Sequence, residues 1–282
     1  MKLWLASYPR SGNTFFRNIL HDCYSISSST FDTQIEFRKY VDYESFDVVK
    51  THELFELLPP HLKDIPKVYI LRDGRDAIVS QAYQMINYKK STLAPYLLMI
   101  DMILSKDNSH YGGWSSNVES WSRVSDVIIK FEDLILKPID EVSRIKDIYN
   151  LPNPELDNIP SFQSQKNDGA KYGNPENKFQ HFFRKGIPGS WREDMPMIIQ
   201  DLFWKYHGNT MSKYGYTFDN NYKNVLDDKI SIKKNIIKYL VYGKPVDKHL
   251  YKILLNITIN KPIYFLLSLY YIIRELLYSI IK

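Results

Sequence analysis

Four polar clusters along the chain have residue types and spacing that could hold an anion or move a proton. The first, in YPRSGNTF, follows a short apolar run and includes Arg10, Ser11, Gly12, Asn13 and Thr14. Successive backbone N–H groups at the start of a helix attract an anion, and the arginine adds a full positive charge. Taken alone, this cluster predicts either an anion-binding loop or a capped helix after a tight turn.

The second cluster places a cation beside a titratable base. The run FDVVK ends at Lys50, and His52 follows two positions later. Because side chains alternate along an extended strand, these two side chains point to the same side. The pair suits removal of a proton from a hydroxyl group near developing negative charge. The alternative at this point is a pair of surface residues without a catalytic role.

The third and fourth clusters add cations after another strand and in a later loop. In YILRDGRDAIVS, Arg72 ends an apolar run and Ser80 lies in the helical pattern that follows, which a capped helix with a surface arginine would also explain. In HFFRKGIPGSW, Arg184, Lys185 and Gly186 stand among aromatic residues. Adjacent cations beside aromatic rings are typical of a loop that binds a phosphate next to a stacking surface.

The elements that must position these clusters alternate between strands and helices. Apolar, β-rich runs at residues 3–7, 46–50, 67–72 and 126–131 are each followed by turn signals and helical patterns. This alternation predicts an α/β protein with a central, mainly parallel sheet flanked by helices. Ligands of such sheets bind beyond the carboxyl ends of the strands, where these clusters fall. The Gln-, Asn- and Gly-rich segment from about 160 to 190 predicts a long functional loop.

The composition fits a globular enzyme. Of 282 residues, 44% are hydrophobic and 24% are charged, which argues against a disordered chain. The single cysteine, Cys23, excludes an intrachain disulfide and a cysteine-based zinc site, and it fits a reducing compartment. Since the first apolar run is too short for a signal peptide, we expect a cytoplasmic protein.

The positive charge is concentrated in the last part of the chain. Residues 229–282 contain ten Lys or Arg and two Asp or Glu, so they carry +8 of the net +5, and residues 1–228 carry −3. We therefore divide the chain into residues 1–220 and a basic, amphipathic helical extension, 221–282. The extension carries apolar residues at helical spacing: Leu266, Leu269, Ile273, Leu277 and Ile280.

Two interpretations of the extension stay open. Arg274 and Glu275 interrupt its apolar run, which argues against a transmembrane helix. The extension would either pack on the domain or on another copy of the chain, or rest on the inner face of an anionic membrane as a peripheral contact. Basic residues without interleaved readout motifs do not indicate nucleic-acid binding.

In their order, the four clusters resemble the motifs of sulfotransferases that use 3′-phosphoadenosine 5′-phosphosulfate (PAPS), especially the cytosolic type. The family sequence Tyr-Pro-Lys-Ser-Gly-Thr-Thr-Trp is similar to residues 8–15, and its Lys-Thr-His to residues 50–52. Its Arg-x-x-x-Asp-x-x-x-Ser resembles Arg72, Asp76 and Ser80, and its Arg-Lys-Gly motif resembles residues 184–192. The resemblance extends over roughly residues 2–216 and implies a P-loop-kinase-like sulfotransferase fold.

The resemblance also implies a role for each cluster. The loop with Arg10, Ser11, Gly12, Asn13 and Thr14 would hold the 5′-phosphosulfate. The 3′-phosphate would be held by Arg72, Ser80, Arg184, Lys185 and Gly186. The rings around the adenine would be Phe15, Phe131 and Phe162. His52 would be the general base for in-line attack by a hydroxyl acceptor, Lys50 and Arg10 would neutralise developing charge, and no metal would be needed.

Several positions depart from the family pattern. Arg10 replaces the lysine of the cytosolic branch, which should keep the charge on the phosphosulfate but change its geometry. Phe15 and Phe131 replace tryptophan and tyrosine, so a stacking face is kept and a polar group is lost. The family's dimer segment has no counterpart in REDMPMIIQD, and we therefore leave the oligomeric state open.

The acceptor also stays open at this stage. An aromatic-rich pocket formed by Met85 to Tyr88, residues 89–113 and residues 163–180 would suit an alcohol, a phenol, a glycan or a lipid. A P-loop phosphotransferase such as a small-molecule kinase is the alternative enzyme, but it would need Gly-Lys-Ser/Thr and a magnesium-binding aspartate. A non-enzymatic nucleotide-binding protein would not need Lys50 and His52 beside the nucleotide site.

Overall fold

The computed structural model describes residues 3–33, 45–89, 95–105, 109–173 and 182–220. The predicted helical extension 221–282, with its open membrane and packing roles, lies outside the described residues. Parts of the predicted acceptor pocket, residues 90–94, 106–108 and 174–180, lie outside them as well. No helix in the described ranges is long and apolar enough to cross a membrane.

Five parallel strands form the sheet, as the alternating pattern predicts. They are β1 (Leu3–Ser7), β2 (Ser28–Phe31), β3 (Val48–Thr51), β4 (Lys67–Leu71) and β5 (Val127–Lys130). Their order is β2-β3-β1-β4-β5, with β1 in the centre. Leu5 lies opposite Lys50 of β3 on one side and Val68 of β4 on the other. The short edge strand β2 is absent from the sequence prediction, because its sequence SSTF lacks an apolar run.

The described helices follow the strands in chain order. They are α1 (Asn13–Tyr24), α2 (Gly74–Lys89), α3 (Pro95–Ile103), α4 (Trp114–Ser122), α5 (Phe131–Leu136), α6 (Pro138–Tyr149), α7 (Phe162–Asp168), α8 (Trp191–Asp194) and α9 (Met197–Lys213). Helix α7 lies within the segment predicted as a loop. It begins where Ser161 Oγ accepts a hydrogen bond from the Ser164 N–H at 2.9 Å, a cap typical of helix starts.

Both faces of the sheet are buried, which makes the molecule a three-layer sandwich. On one face, Trp4 and Ala6 of β1 pack in a cluster with α2, α3, α4 and α9. On the other face, Leu3 and Leu5 pack in a cluster with α1, α5 and α6. Successive residues of β1 point to opposite layers, so nearly every position of the strand must be apolar. This explains the continuous run LWLA.

The strand order determines where a ligand can bind. The chain leaves β1 toward β2 and β3 on one side and later reaches β4 and β5 on the other side. A crevice forms beyond the carboxyl ends of strands where the connections diverge in this way. The loops after β1 and β4, which carry Arg10 and Arg72, meet at this crevice.

Candidate active site

The loop after β1 has the geometry of an anion site. Gly12 has a φ of 98° and stands directly before α1. A Cβ atom at Gly12 would lie 2.4 Å from Cδ2 of Phe131, so only glycine fits there. Within the described part of the chain, the buried Ser11 Oγ and Asn13 Oδ1 atoms have no hydrogen-bond partner. Since buried polar atoms are normally hydrogen-bonded, the loop has polar capacity that a ligand can use.

Arg10 connects the first cluster to the third. Its Nε donates to Ser80 Oγ at 3.2 Å, and its Nη2 donates to the carbonyl oxygen of Phe182. Its own carbonyl oxygen accepts from Nη1 of Arg72 at 2.8 Å. Burial, and then the charges of Arg72 and Arg184, lower the pKa of Arg10 to about 10. The guanidinium remains charged at neutral pH, and three arginines are concentrated around one space.

Arg10 adopts an uncommon backbone conformation. Its φ is 65°, in the left-handed region that a residue with a Cβ atom rarely adopts. This conformation turns the side chain toward Ser80, a residue that the sequence predicts at the 3′-phosphate. Its contacts therefore lie with the third cluster, whereas the sequence alone places Arg10 beside the transferring group.

His52 is held in the tautomer that a general base requires. Its Nδ1 donates to the carbonyl oxygen of Ser7 at 2.7 Å, and because a carbonyl only accepts, Nε2 keeps its lone pair. Burial, and then the charge of Lys50, lower the pKa of His52 well below 6.5. Asn117 Nδ2 donates to the backbone oxygen of His52 at 2.8 Å and fixes the main chain there. The imidazole is therefore neutral near pH 7.

Arg72 lies deeper in the cavity than a surface arginine would. It is 6% exposed, and its guanidinium carbon lies 4.2 Å from the centre of the Phe131 ring. Burial lowers its pKa. Its Nε atom is buried without a hydrogen-bond partner among the described residues. Such a donor fits an anionic ligand in the adjoining space.

Asp76 joins the third cluster to the fourth. It is fully buried and accepts hydrogen bonds from the backbone N–H groups of Gly189 at 2.7 Å and Trp191 at 2.8 Å. The Ser190 hydroxyl donates to it at 3.2 Å. The carboxylate thereby holds the loop that follows Arg184 against the start of α2.

The two cations of the fourth cluster are paired with acidic residues of α8. Arg184 Nη2 and Lys185 Nζ both donate to Oδ2 of Asp194, the lysine at 2.7 Å. Lys185 also contacts Glu193 at 2.5 Å. The Tyr83 hydroxyl donates to Oδ1 of Asp194 at 3.3 Å. Sequence reasoning missed Asp194, because REDM gives no sign that its carboxylate reaches back to the cations.

Aromatic rings lie beside the loop cations. Phe162 contacts Phe15 with ring centres 5.6 Å apart, and Phe183 with ring centres 5.3 Å apart. A Cβ atom at Gly186 would lie 2.2 Å from Cε1 of Phe162, so this glycine lets the backbone lie directly against the ring. Phe131 lies apart from this group, between Gly12 and the guanidinium of Arg72.

A cavity of about 690 Å³ joins these parts. Every residue that the sequence predicts for the site lines it except Ser11, which is 1% exposed in the loop after β1. Side chains that the sequence did not single out line it too: Arg17, Thr30, Asp32, Gln81, Gln84 and Tyr172. In the described ranges, no cluster of three or more His, Cys, Asp or Glu residues could hold a metal ion.

Solved structures with a similar fold bind a nucleotide. Mouse sulfotransferase SULT7A1 complexed with PAP aligns with a TM-score of 0.60 and 20% identity, over 76% of this chain and 89% of that chain. Retinol dehydratase in complex with androsterone and the inactive cofactor PAP aligns with a TM-score of 0.57 and 19% identity, over 78% of this chain and 83% of that one. At these identities the likeness shows the fold.

Sequence comparison identifies the family. Sulfotransferase 1A1 of Bos taurus is 26% identical over 250 residues, covering 74% of this chain and 83% of the relative. Sulfotransferase 1E1 of Rattus norvegicus is 26% identical over 244 residues, with the same coverage of both chains. Residues 1–215 match the family model described as the sulfotransferase domain. The match decides against the phosphotransferase alternative: the chain belongs to the sulfotransferase family.

Proposed function

We propose that the chain transfers the sulfuryl group of PAPS to a hydroxyl acceptor, with His52 as the general base. The donor follows from the family, since the chain is a PAPS-dependent sulfotransferase. The observation that carries the base assignment is the 2.7 Å hydrogen bond from His52 Nδ1 to the Ser7 carbonyl. This bond leaves Nε2 able to take a proton, and His52 lines the cavity.

In the proposed reaction, His52 Nε2 takes the acceptor's hydroxyl proton while the oxygen attacks sulfur. The bond between sulfur and the bridging phosphate oxygen breaks, so a sulfate ester and 3′-phosphoadenosine 5′-phosphate (PAP) leave the enzyme. Lys50, on the cavity wall beside the base, would stabilise the charge on the transferring group. Arg10 would do the same at the bridging oxygen if donor binding turned it from Ser80.

The donor substrate fits the residues that line the cavity. The loop 10–14 would hold the 5′-phosphosulfate, and its buried Ser11 Oγ supports this because that atom has no partner in the described part of the chain. The 3′-phosphate would be held by Arg72, Ser80, Arg184, Lys185 and Gly186. The adenine would lie beside Phe15, Phe162 and Phe131, of which the first two are in ring contact. We assign residues 1–220 to this catalytic domain.

The first experiment tests the donor site without knowing the acceptor. We expect PAP to raise the melting temperature of the protein, and ATP with Mg²⁺ to have a smaller effect. Transfer of labelled sulfuryl from PAPS to pooled alcohols, phenols and glycans should then identify a working acceptor. Stabilisation by ATP–Mg²⁺ alone would contradict the proposal.

The second experiment tests the base. His52→Ala should lower turnover by about 10²- to 10⁴-fold, the usual contribution of a positioned general base, while PAP binding is kept. His61→Ala is the matched control, because His61 is exposed and does not line the cavity. If His52→Ala kept wild-type turnover, the base assignment would be wrong.

A further inference from the structure

A buried carboxylate lies on the wall of the cavity next to the proposed base. Asp32 is the residue after β2, and it is 4% exposed. It lines the same cavity as Lys50 and His52. None of the donor-binding roles above involves Asp32, and a carboxylate is a poor neighbour for the phosphates of the donor. Its position therefore points to the other substrate.

The strand register explains why Asp32 lies near the base. Thr30 of β2 pairs with Lys50 of β3 in the parallel ladder, and Phe31 pairs with Thr51. Because side chains alternate, Thr30 and Asp32 lie on the same face as Lys50 and His52, and all four line the cavity. Neighbouring strands are about 5 Å apart, so one small molecule can reach both the imidazole and the carboxylate.

Tyr111 joins the base to the carboxylate. Its hydroxyl donates to Oδ2 of Asp32 at 3.3 Å, and its ring lies edge-on to the His52 ring with centres 5.5 Å apart. A carboxylate has about four acceptor positions. It can therefore accept from Tyr111 and from a bound substrate at the same time.

A second acceptor atom in the cavity wall also requires a donor. Gln81 of α2 lines the cavity, and its Oε1 atom is buried without a hydrogen-bond partner among the described residues. Gln84, one turn further along α2, lines the cavity as well. Buried acceptor atoms without a partner weaken the binding of a purely apolar substrate, because such a substrate cannot satisfy them.

We propose that Asp32 selects the acceptor, and that the acceptor is a compound with a second hydrogen-bond donor next to its reacting hydroxyl group. The reacting hydroxyl binds at His52, and the neighbouring donor, a hydroxyl or an ammonium group, binds to the carboxylate of Asp32. Polyols, sugars and amino alcohols meet this requirement, and an apolar alcohol with one hydroxyl does not. This inference rests on the proposed sulfuryl transfer and on His52 as the base.

The test compares matched acceptors that differ in the second donor. With PAPS as the sulfuryl donor, kcat/KM is measured for cyclohexanol, trans-cyclohexane-1,2-diol and trans-2-aminocyclohexanol. We expect the wild-type protein to prefer at least one of the two-donor compounds over cyclohexanol by about tenfold or more, the effect of one buried hydrogen bond to a charged group. Preference for the diol identifies a hydroxyl partner, and preference for the amino alcohol identifies an ammonium partner.

The variant Asp32→Asn removes the charge and keeps the size of the side chain. It should reduce the preference to less than about threefold, since a hydrogen bond to a neutral group is weaker. Asp64→Asn is the control, because Asp64 is exposed and does not line the cavity. The melting-temperature increase with PAP must be the same in all variants, which shows that the fold and the donor site are intact.

The outcomes separate this inference from the proposed function. An unchanged preference in Asp32→Asn overturns the role of Asp32. A wild-type protein that binds PAP but sulfates neither two-donor compound also overturns it. Failure of PAP to stabilise the wild-type protein would instead contradict the donor site, on which the proposed function depends.

Discussion

Replacing Asp194 by asparagine should tighten the binding of PAP by roughly five- to thirty-fold. In the proposed complex, Arg184 and Lys185 bind the 3′-phosphate, and in the structure both donate to the same oxygen of Asp194. The carboxylate and the phosphate therefore compete for two cations and repel each other. Asparagine keeps a carbonyl oxygen that can accept from Tyr83 and loses the negative charge.

The magnitude follows from the separation and the exposure of the charges. Two like unit charges about 5 Å apart repel by about 0.8 kcal/mol in water and by about 3 kcal/mol at an effective dielectric constant of 20. The side chains of Arg184 and Asp194 are both 17% exposed, so the pair lies between these limits. A gain of about 1–2 kcal/mol corresponds to the stated range of affinity.

Calorimetric titration with PAP at low and high salt measures this effect. The gain should shrink as salt increases, because partly exposed charges are screened. Glu193→Gln is the control: Glu193 is 69% exposed and contacts Lys185, so losing its charge should change the affinity by less than about threefold. If Asp194→Asn folds normally and binds PAP no more tightly than the wild-type protein, Asp194 supports the cations and does not compete for them.

Two further predictions concern the base and the stacking ring. Since the pKa of His52 is lowered, the base stays neutral as the pH falls, so kcat/KM for PAPS should stay level down to about pH 6. An inflection at or above pH 6.5 would show that burial does not act on the imidazole. Gly186→Ala should weaken PAP binding at least about tenfold, because its Cβ atom would displace the ring of Phe162. Gly215→Ala has the same left-handed strain but meets only Lys130 Nζ at 3.8 Å, so equal losses in both variants would refute the stacking role.

Local patterns were sufficient to predict the sheet and the polar loops. The run at residues 3–7 is β1 without correction, because a central strand buried on both faces must be apolar throughout. The rule that ligands bind beyond the carboxyl ends of parallel strands brought distant loops together correctly, and Arg10 does contact Ser80 and Arg72. The edge strand β2 gave no such signal, because its four residues contain three hydroxyl side chains.

The acidic residues near the site could not be predicted, for a physical reason that applies to both. Asp32 is close to His52 only because β2 pairs with β3, and strand order is not contained in any local pattern. Asp194 lies in the first turn of a short helix, where an acidic residue normally needs no further explanation than the helix dipole. A motif identifies the groups that attract a ligand. The groups that oppose or select it come from elsewhere in the chain, and there the structure adds most.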